Sequence, residues 1–356
     1  MKDLFSTNPP GKILIIKPSA LGDVVHSLAF LHTLKQNCPK AEIHWVIAKG
    51  LEGMLLNHPL IDKIWIIDKN QWKKIRRLKT SLSEIRTLKR GLAQETFDLV
   101  IDLQGLLRSG LTAWATRAPI KIGFAEAKEG STLFYTHRVE GGKQIHAVDR
   151  YLKILQFLGG RVAEIEFPLP PLNPRAELLQ SLPAEYIVIA PSAGKKANMW
   201  PAERFGALAA RLPLPAVIIG SKADAGVTRT AVEHSRGRAL DLGGQTDLNG
   251  LIHVIKNARL LISNDTGPMH IAAALDVPVV AIFGPANPVR TGPYGPIHTI
   301  VREDLECSPC YRKKPCSHWR CLLNITVERV ETAVLTSLKQ RAAIVKREMS
   351  NVKRQM

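Results

Sequence analysis

Three short clusters in this chain combine residue types that can do chemistry. The first is Lys17-Pro18-Ser19-Ala20-Leu21-Gly22-Asp23. It follows the apolar run Ile13-Leu14-Ile15-Ile16 and precedes Val24-Val25-His26-Ser27-Leu28-Ala29-Phe30-Leu31. The run reads as a buried parallel strand and the following segment as a helix packed on it. Asp23 is then lifted to the carboxyl end of the first strand, where open α/β sheets bind ligands. Neither G-x-G-x-x-G nor G-x-x-x-x-G-K-[ST] is present, so the loop points to a base, with Lys17 beside it, rather than to a phosphate cradle.

The other two clusters lie in the second half. Ala190-Pro191-Ser192-Ala193-Gly194-Lys195-Lys196-Ala197-Asn198-Met199-Trp200-Pro201 leaves a strand with a hydroxyl, a glycine and two lysines. Pro201 then suits a first helical turn. Ser192, Lys195 and Lys196 make this loop a diphosphate site; the alternative is a surface loop with incidental lysines. Ser263-Asn264-Asp265-Thr266-Gly267-Pro268-Met269-His270 ends a strand and starts a helix at once. Free N–H groups at such a start bind anions, and Thr266 adds a hydroxyl. Asp265, Thr266, Gly267 and His270 therefore form an anion-binding loop. The competing readings are a capping aspartate and a packing histidine. No D-x-D pair is present to hold a divalent metal beside a diphosphate. Charge neutralisation by lysines and helix dipoles, with no required cofactor, follows.

Four cysteines, Cys307, Cys310, Cys316 and Cys321, fall in a C-x2-C-x5-C-x4-C run with His318 among them. That density resembles a structural zinc knuckle, although its second and third spacings are irregular for one. The alternatives are free thiols or redox-labile pairs. Cys38 is isolated and reads as core.

These loops need a scaffold, and the pattern of the chain supplies one. Strand-like runs at 12–17, 42–48, 63–68, 98–103 and 121–124 alternate with helical segments near 22–36, 51–57, 72–95, 106–116 and 144–158. Such alternation predicts a parallel sheet covered on both faces. Phe167-Pro168-Leu169-Pro170-Pro171-Leu172-Asn173-Pro174 is a stiff linker. A second series follows, with strands at 186–190, 216–220, 239–242, 260–263 and 277–283. Helices fit at 201–212, 223–235, 247–257 and 267–275, and a long basic helix runs from 326 to about 349. The expected architecture is α/β: two doubly wound Rossmann-like domains, 1–170 and 175–325, facing across a cleft, with 326–356 as a basic helix and tail.

The chain has 356 residues, 45% of them hydrophobic, and a formal charge of +18. No apolar run reaches the roughly 18 residues that span a bilayer, and the N-terminus lacks a signal-peptide h-region. A cytoplasmic protein with an anionic partner is expected. Positive charge concentrates in 69–90, where Lys73, Lys74, Arg76 and Arg77 accompany an apolar stripe of Leu78, Leu82, Ile85 and Leu88. This is a basic amphipathic helix suited to a membrane surface, the alternative being a solvated face. No helix-turn-helix, RRM or zinc-finger signature accompanies the charge, so nucleic acid is not the expected partner.

Three segments together resemble the lipopolysaccharide heptosyltransferases, glycosyltransferase family 9. They are Lys17-Pro18-Ser19-Ala20-Leu21-Gly22-Asp23-Val24-Val25-His26, Phe97-Asp98-Leu99-Val100-Ile101-Asp102-Leu103-Gln104-Gly105-Leu106, and Ser263 to His270 continued by Ala272-Ala273-Ala274-Leu275-Asp276. The resemblance covers nearly the whole chain and leans to the heptosyltransferase I branch. It implies a GT-B fold and inverting transfer of heptose from ADP-L-glycero-β-D-manno-heptose to Kdo-lipid A, at the cytoplasmic face of the inner membrane. Asp23 matches the family's general base and Lys17 a basic residue of the same loop. Asp265, Thr266, Gly267 and His270 match the donor loop. Lys17, Lys73, Arg76, Arg77 and Gln104 are assigned to the acceptor. The family's donor-site lysine falls two residues before Trp-Pro, where this chain has Asn198. The cysteine run looks more like heptosyltransferase II, whose acceptor is heptosyl-Kdo-lipid A. From another class, a nucleotide-sugar epimerase would act without any acceptor.

Overall fold

The computed structural model describes residues 4–68, 78–142 and 144–355. The chain forms two compact units, Met1–Pro171 and Leu172–Met356, meeting within the proline-rich stretch.

After a short helix α1 (Leu4–Thr7), the first unit runs β1 (Lys12–Ile16), α2 (Leu21–Asn37), β2 (Glu42–Ala48), β3 (Lys63–Ile67), α3 (Leu78–Gln94), β4 (Leu99–Asp102), α4 (Leu107–Ala115), β5 (Ile120–Phe124), β6 (His137–Val139) and α5 (Ala147–Phe157). Among the described residues its strands form one six-stranded parallel sheet in the order β3-β2-β1-β4-β5-β6. Ile13, Leu14, Ile15 and Ile16 are buried on both faces, as a central parallel strand requires. Fully burying each such side chain contributes about 1.5–3 kcal/mol. α2 buries Val24, Val25, Leu28, Ala29 and Leu31 and packs against α5.

The second unit runs α6 (Ala176–Ser181), β7 (Ile187–Ala190), α7 (Ala202–Ala209), β8 (Ala216–Ile218), α8 (Ala225–Glu233), β9 (Ala239–Asp241), α9 (Leu248–Lys256), β10 (Leu260–Asn264), α10 (Gly267–Ala274), β11 (Val279–Phe283), α11 (Pro288–Thr291), β12 (Thr299–Arg302), α12 (Arg320–Leu323) and α13 (Val327–Gln355). Its sheet is again parallel, in the order β12-β11-β10-β7-β8-β9. Trp200 and Phe205 meet edge to face within its core, their ring centroids 4.9 Å apart. Val330 and Val334 of α13 enter the same core, so the final helix packs within this unit.

Several expected elements differ. The helix expected near 51–57 is a single 3-10 turn, Glu52–Met54. The edge strands β6 and β12 and the helix α6 are additional to the expected set. The basic helix is seen from Leu78 to Gln94, anchored by the buried Leu92 and the partly buried Leu88. Lys73, Lys74, Arg76 and Arg77 lie outside the described residues.

Candidate functional site

Both sheets reverse their strand order beside the central strand, β1/β4 in the first and β10/β7 in the second. Loops leaving the carboxyl ends of two such strands diverge and open a crevice between them. All the described candidate residues outside the cysteine run follow those four strands.

In the first unit, β1 ends at Ile16 and α2 begins at Leu21. Asp23 is the third residue of α2, and its Oδ2 accepts the Ala20 N–H at 3.1 Å, satisfying one of the helix's unpaired donors. The Asp23 side chain is 40% exposed, so its second oxygen is open to a ligand. Lys17 lies behind it, fully buried, with Nζ 3.7 Å from Asp23 Oδ2. The ammonium donates to the Leu103 carbonyl at 3.2 Å and sits 5.3 Å from the Tyr151 ring centroid. Burial depresses the basicity of Lys17, but Asp23, Tyr151 and Asp102 more than offset it and raise its pKa above the ordinary lysine value. Lys17 is thus a fixed cation held beside the Asp23 carboxylate. Trp45 Nε1 donates to the Lys17 carbonyl and pins the loop from β2.

The loop after β4 completes this edge. Asp102 is fully buried; its Oδ1 accepts the Gln104 and Gly105 N–H groups and its Oδ2 accepts the Tyr135 hydroxyl at 2.6 Å. Burial raises its pKa, and the donors counter that only in part. Gly105 has φ +67°, and a Cβ there would stand 3.1 Å from Ala127 Cβ, so glycine is required for the turn. The turn brings Gln104 beside Pro18 and Ser19, where Ile16, Arg108, Ser109 and Thr112 help line a small cavity. Gln104 Oε1 is buried there and receives no hydrogen bond from the described residues. Buried polar atoms are normally paired, so this oxygen is placed to accept from a ligand hydroxyl.

In the second unit, Ser192, Lys195 and Lys196 follow β7, and Asp265, Thr266 and Gly267 follow β10, its neighbour in the sheet. Asn264 ties the two loops together. It is fully buried, accepts the Trp200 N–H at 2.9 Å and donates to the Pro191 carbonyl at 2.7 Å. Asn198 Nδ2 donates to Asp265 Oδ2 at 3.0 Å. Asn198, where the resemblance leads one to expect a lysine, therefore gives Asp265 a partner but contributes no charge. Thr266 is the N-cap of α10, with Gly267 and Pro268 opening the helix. Lys195 and Lys196 are exposed, and no ion pair involves either among the described residues. His270 is buried one turn into α10.

A model of glycosyltransferase family 9 (heptosyltransferase) matches residues 85–321. The chain belongs to this family. Lipopolysaccharide heptosyltransferase 1 of Pseudomonas aeruginosa is 29% identical over 326 residues, covering 86% of this chain and 88% of its own. Among solved structures, a family 9 glycosyltransferase from Veillonella parvula superposes with a TM-score of 0.78 at 27% identity, covering 93% and 97% of the two chains. The Escherichia coli heptosyltransferase WaaC with ADP-2-deoxy-2-fluoro heptose superposes with a TM-score of 0.73 at 24% identity, covering 91% and 99%. The fold of this family 9 glycosyltransferase is thereby GT-B, with two Rossmann-like units.

Two further clusters in the family 9 chain bear on metal. The four thiols of the cysteine run are free. Cys321 is buried, and burial together with the neighbouring Cys316, Cys310 and Cys307 pushes its pKa up to about 11. Cys316 Sγ accepts the Trp319 N–H at 3.3 Å. The thiols are neighbours, yet among the described residues no three of them bring their sulfurs within 4.8 Å of one another. Glu42, His44 and Glu95 do reach that proximity, at the amino ends of the strands. Lys12 and Lys63 already occupy their carboxylates; hydrogen bonds from these two lysines hold Glu95 at about 2. That cluster is an ion network facing away from the candidate site.

Proposed function

We propose that this enzyme moves heptose from ADP-heptose onto the Kdo region of a lipopolysaccharide precursor, as the first-heptose transferase. The half-exposed Asp23 carboxylate, held at a helix start with a buried lysine behind it, carries this reading. Asp23 accepts the proton of the acceptor hydroxyl as its oxygen attacks the anomeric carbon. The carbon–oxygen bond to the diphosphate breaks on the opposite side, which inverts the configuration. The departing ADP is anionic, and the N–H groups opening α10, the Thr266 hydroxyl and Lys195 or Lys196 stabilise it. The acceptor lies over the β1/β4 cavity, where Gln104 accepts a sugar hydroxyl and Lys17 keeps the base in place.

The acceptor is a phosphorylated, carboxylated glycolipid, which suits a chain of charge +18. Lys73, Arg76 and Arg77 are assigned to its anionic groups, and the enzyme to the cytoplasmic surface of the inner membrane. No helix among the described residues is long and apolar enough to cross a membrane. Nothing in the site demands a divalent metal, since lysines and helix termini are available to neutralise the diphosphate.

The reading is tested with purified protein, a panel of nucleotide sugars, and Kdo-lipid A or heptosyl-Kdo-lipid A, read by mass spectrometry in excess EDTA. Heptose addition from ADP-heptose to Kdo-lipid A is the expected product. Transfer only to heptosyl-Kdo-lipid A assigns the second heptose instead. Sugar conversion without acceptor points to an epimerase.

The donor assignment has its own consequence. Lys195→Ala and Lys196→Ala remove one exposed cation each from the β7 loop. A charge-assisted contact to phosphate is worth about 1.5–3 kcal/mol. The lysine that meets the diphosphate should therefore weaken ADP binding roughly ten- to a hundredfold by calorimetry, while its neighbour stays close to the parent. Parental ADP affinity in both single variants and the double variant would remove these lysines from the site.

A further inference from the structure

Helix α4 has two distinct faces. Arg108, Ser109 and Thr112 line the cavity beside Gln104. Leu107, Leu111 and Trp114, at i, i+4 and i+7, form a stripe along another face. Their exposures are 42%, 43% and 53%. The turn Ser131–Phe134 packs on this helix at Gly110, where a Cβ would stand 2.8 Å from Phe134 Cδ2. That turn carries Leu133, which is 79% exposed. Single exposed leucines are ordinary; three leucines and a tryptophan gathered on one helix and the turn beside it mark an interaction surface.

Its surroundings are cationic. Lys89 Nζ lies 4.5 Å from the Trp114 ring centroid. Arg86 and Arg90 share the Lys89 face of α3 and are exposed. Arg108 stands at the start of α4 and Arg117 just beyond its end, both exposed. One carboxylate, Glu129, accepts the Leu107 N–H. Leucines that enter the acyl boundary, an indole at headgroup depth and a rim of cations are the complement of an anionic lipid surface.

We infer that the α4 stripe, extended by Leu133, is the surface through which this chain rests on an anionic membrane. The inference builds on the reading of the acceptor as a glycolipid. The same nine-residue helix carries the docking stripe and part of the cavity wall. A sugar anchored in the bilayer therefore meets the cavity within about one helix diameter, roughly 10 Å, of the lipid surface.

The test uses the full chain and phosphatidylcholine vesicles with and without phosphatidylglycerol. Leu111→Glu/Leu133→Glu and Trp114→Ser change the stripe and leave the cavity residues in place. The parent should sediment with the anionic vesicles in a salt-sensitive way. The double variant should lose at least about tenfold of that binding, since two apolar side chains that enter the lipid are replaced by charges. Turnover of vesicle-embedded acceptor should fall in parallel. Turnover of the deacylated, water-soluble acceptor should stay at the parental level, which separates lost docking from lost folding. Parental vesicle binding in the variants overturns the inference, as does a parent that ignores anionic vesicles. A parental dimer that the double variant dissociates, with vesicle binding unchanged, would assign the stripe to a second copy of this chain. Vesicle binding that behaves as expected in a protein transferring no heptose would sink the functional reading and leave the docking surface standing.

Discussion

Asp23→Asn is expected to lower turnover by two to four orders of magnitude, about the worth of a positioned general base, with the fold intact. The local geometry supports both halves of that expectation. Only one carboxylate oxygen is committed, to the Ala20 N–H, and an asparagine carbonyl can accept the same bond, so the helix start survives. An amide cannot accept the proton of the attacking hydroxyl, so the chemical step loses its base. The donor loops belong to the other unit, so ADP affinity by calorimetry should match the parent. A loss confined to kcat, with unchanged ADP binding and an unchanged melting temperature, is the expected signature. Turnover within a few-fold of the parent would show that another group takes the proton.

Local sequence made the β1 and β10 loops legible because their chemistry is contiguous. An apolar run, a glycine and a carboxylate within eleven residues already place Asp23 at a strand end. Asp-Thr-Gly-Pro after a strand likewise announces a helix start. The supporting residues were not legible, because their partners are far away in the chain. Asn264 joins Trp200 and Pro191 across 64 and 73 positions, and Asp102 meets Tyr135 across 33. No local period encodes such bonds. Asn198 stood out as a departure from the family pattern, yet its contact with Asp265, 67 residues away, emerges only in the fold. The edge strands escaped for a different reason. His137–Val139 and Thr299–Arg302 are short and only partly buried, so neither the continuous apolar run of a central strand nor a full alternation marks them. The stripe on α4 has the spacing of a core-facing helix, and exposure alone distinguishes it.

Lys17→Met is the second change with a large expected effect, and it tests how the base is held. The ammonium is fully buried, donates to the Leu103 carbonyl and faces Asp23 at 3.7 Å. Methionine approximates the length of the side chain but removes the charge and the donor. The Leu103 carbonyl then loses a buried partner, at a cost of about 1–3 kcal/mol. The ion-pair contribution itself is smaller, because Asp23 is 40% exposed and solvent screens it. A fall of several degrees in the melting temperature is therefore expected, without loss of the fold. The kinetic effect should be larger than the thermal one. Without the fixed cation, Asp23 keeps only the Ala20 N–H as a restraint, and a misplacement of about 1 Å at a reacting group can cost a hundredfold. The split between constants separates this role from a purely structural one. A positioning lysine predicts a drop in kcat of one to two orders of magnitude with ADP affinity preserved, and Lys17→Arg should recover little, because a guanidinium does not fit the enclosed site of a single-point donor. If Lys17→Met loses stability but turns over like the parent, the lysine merely fills the base of the loop and Asp23 is held by its helix start alone.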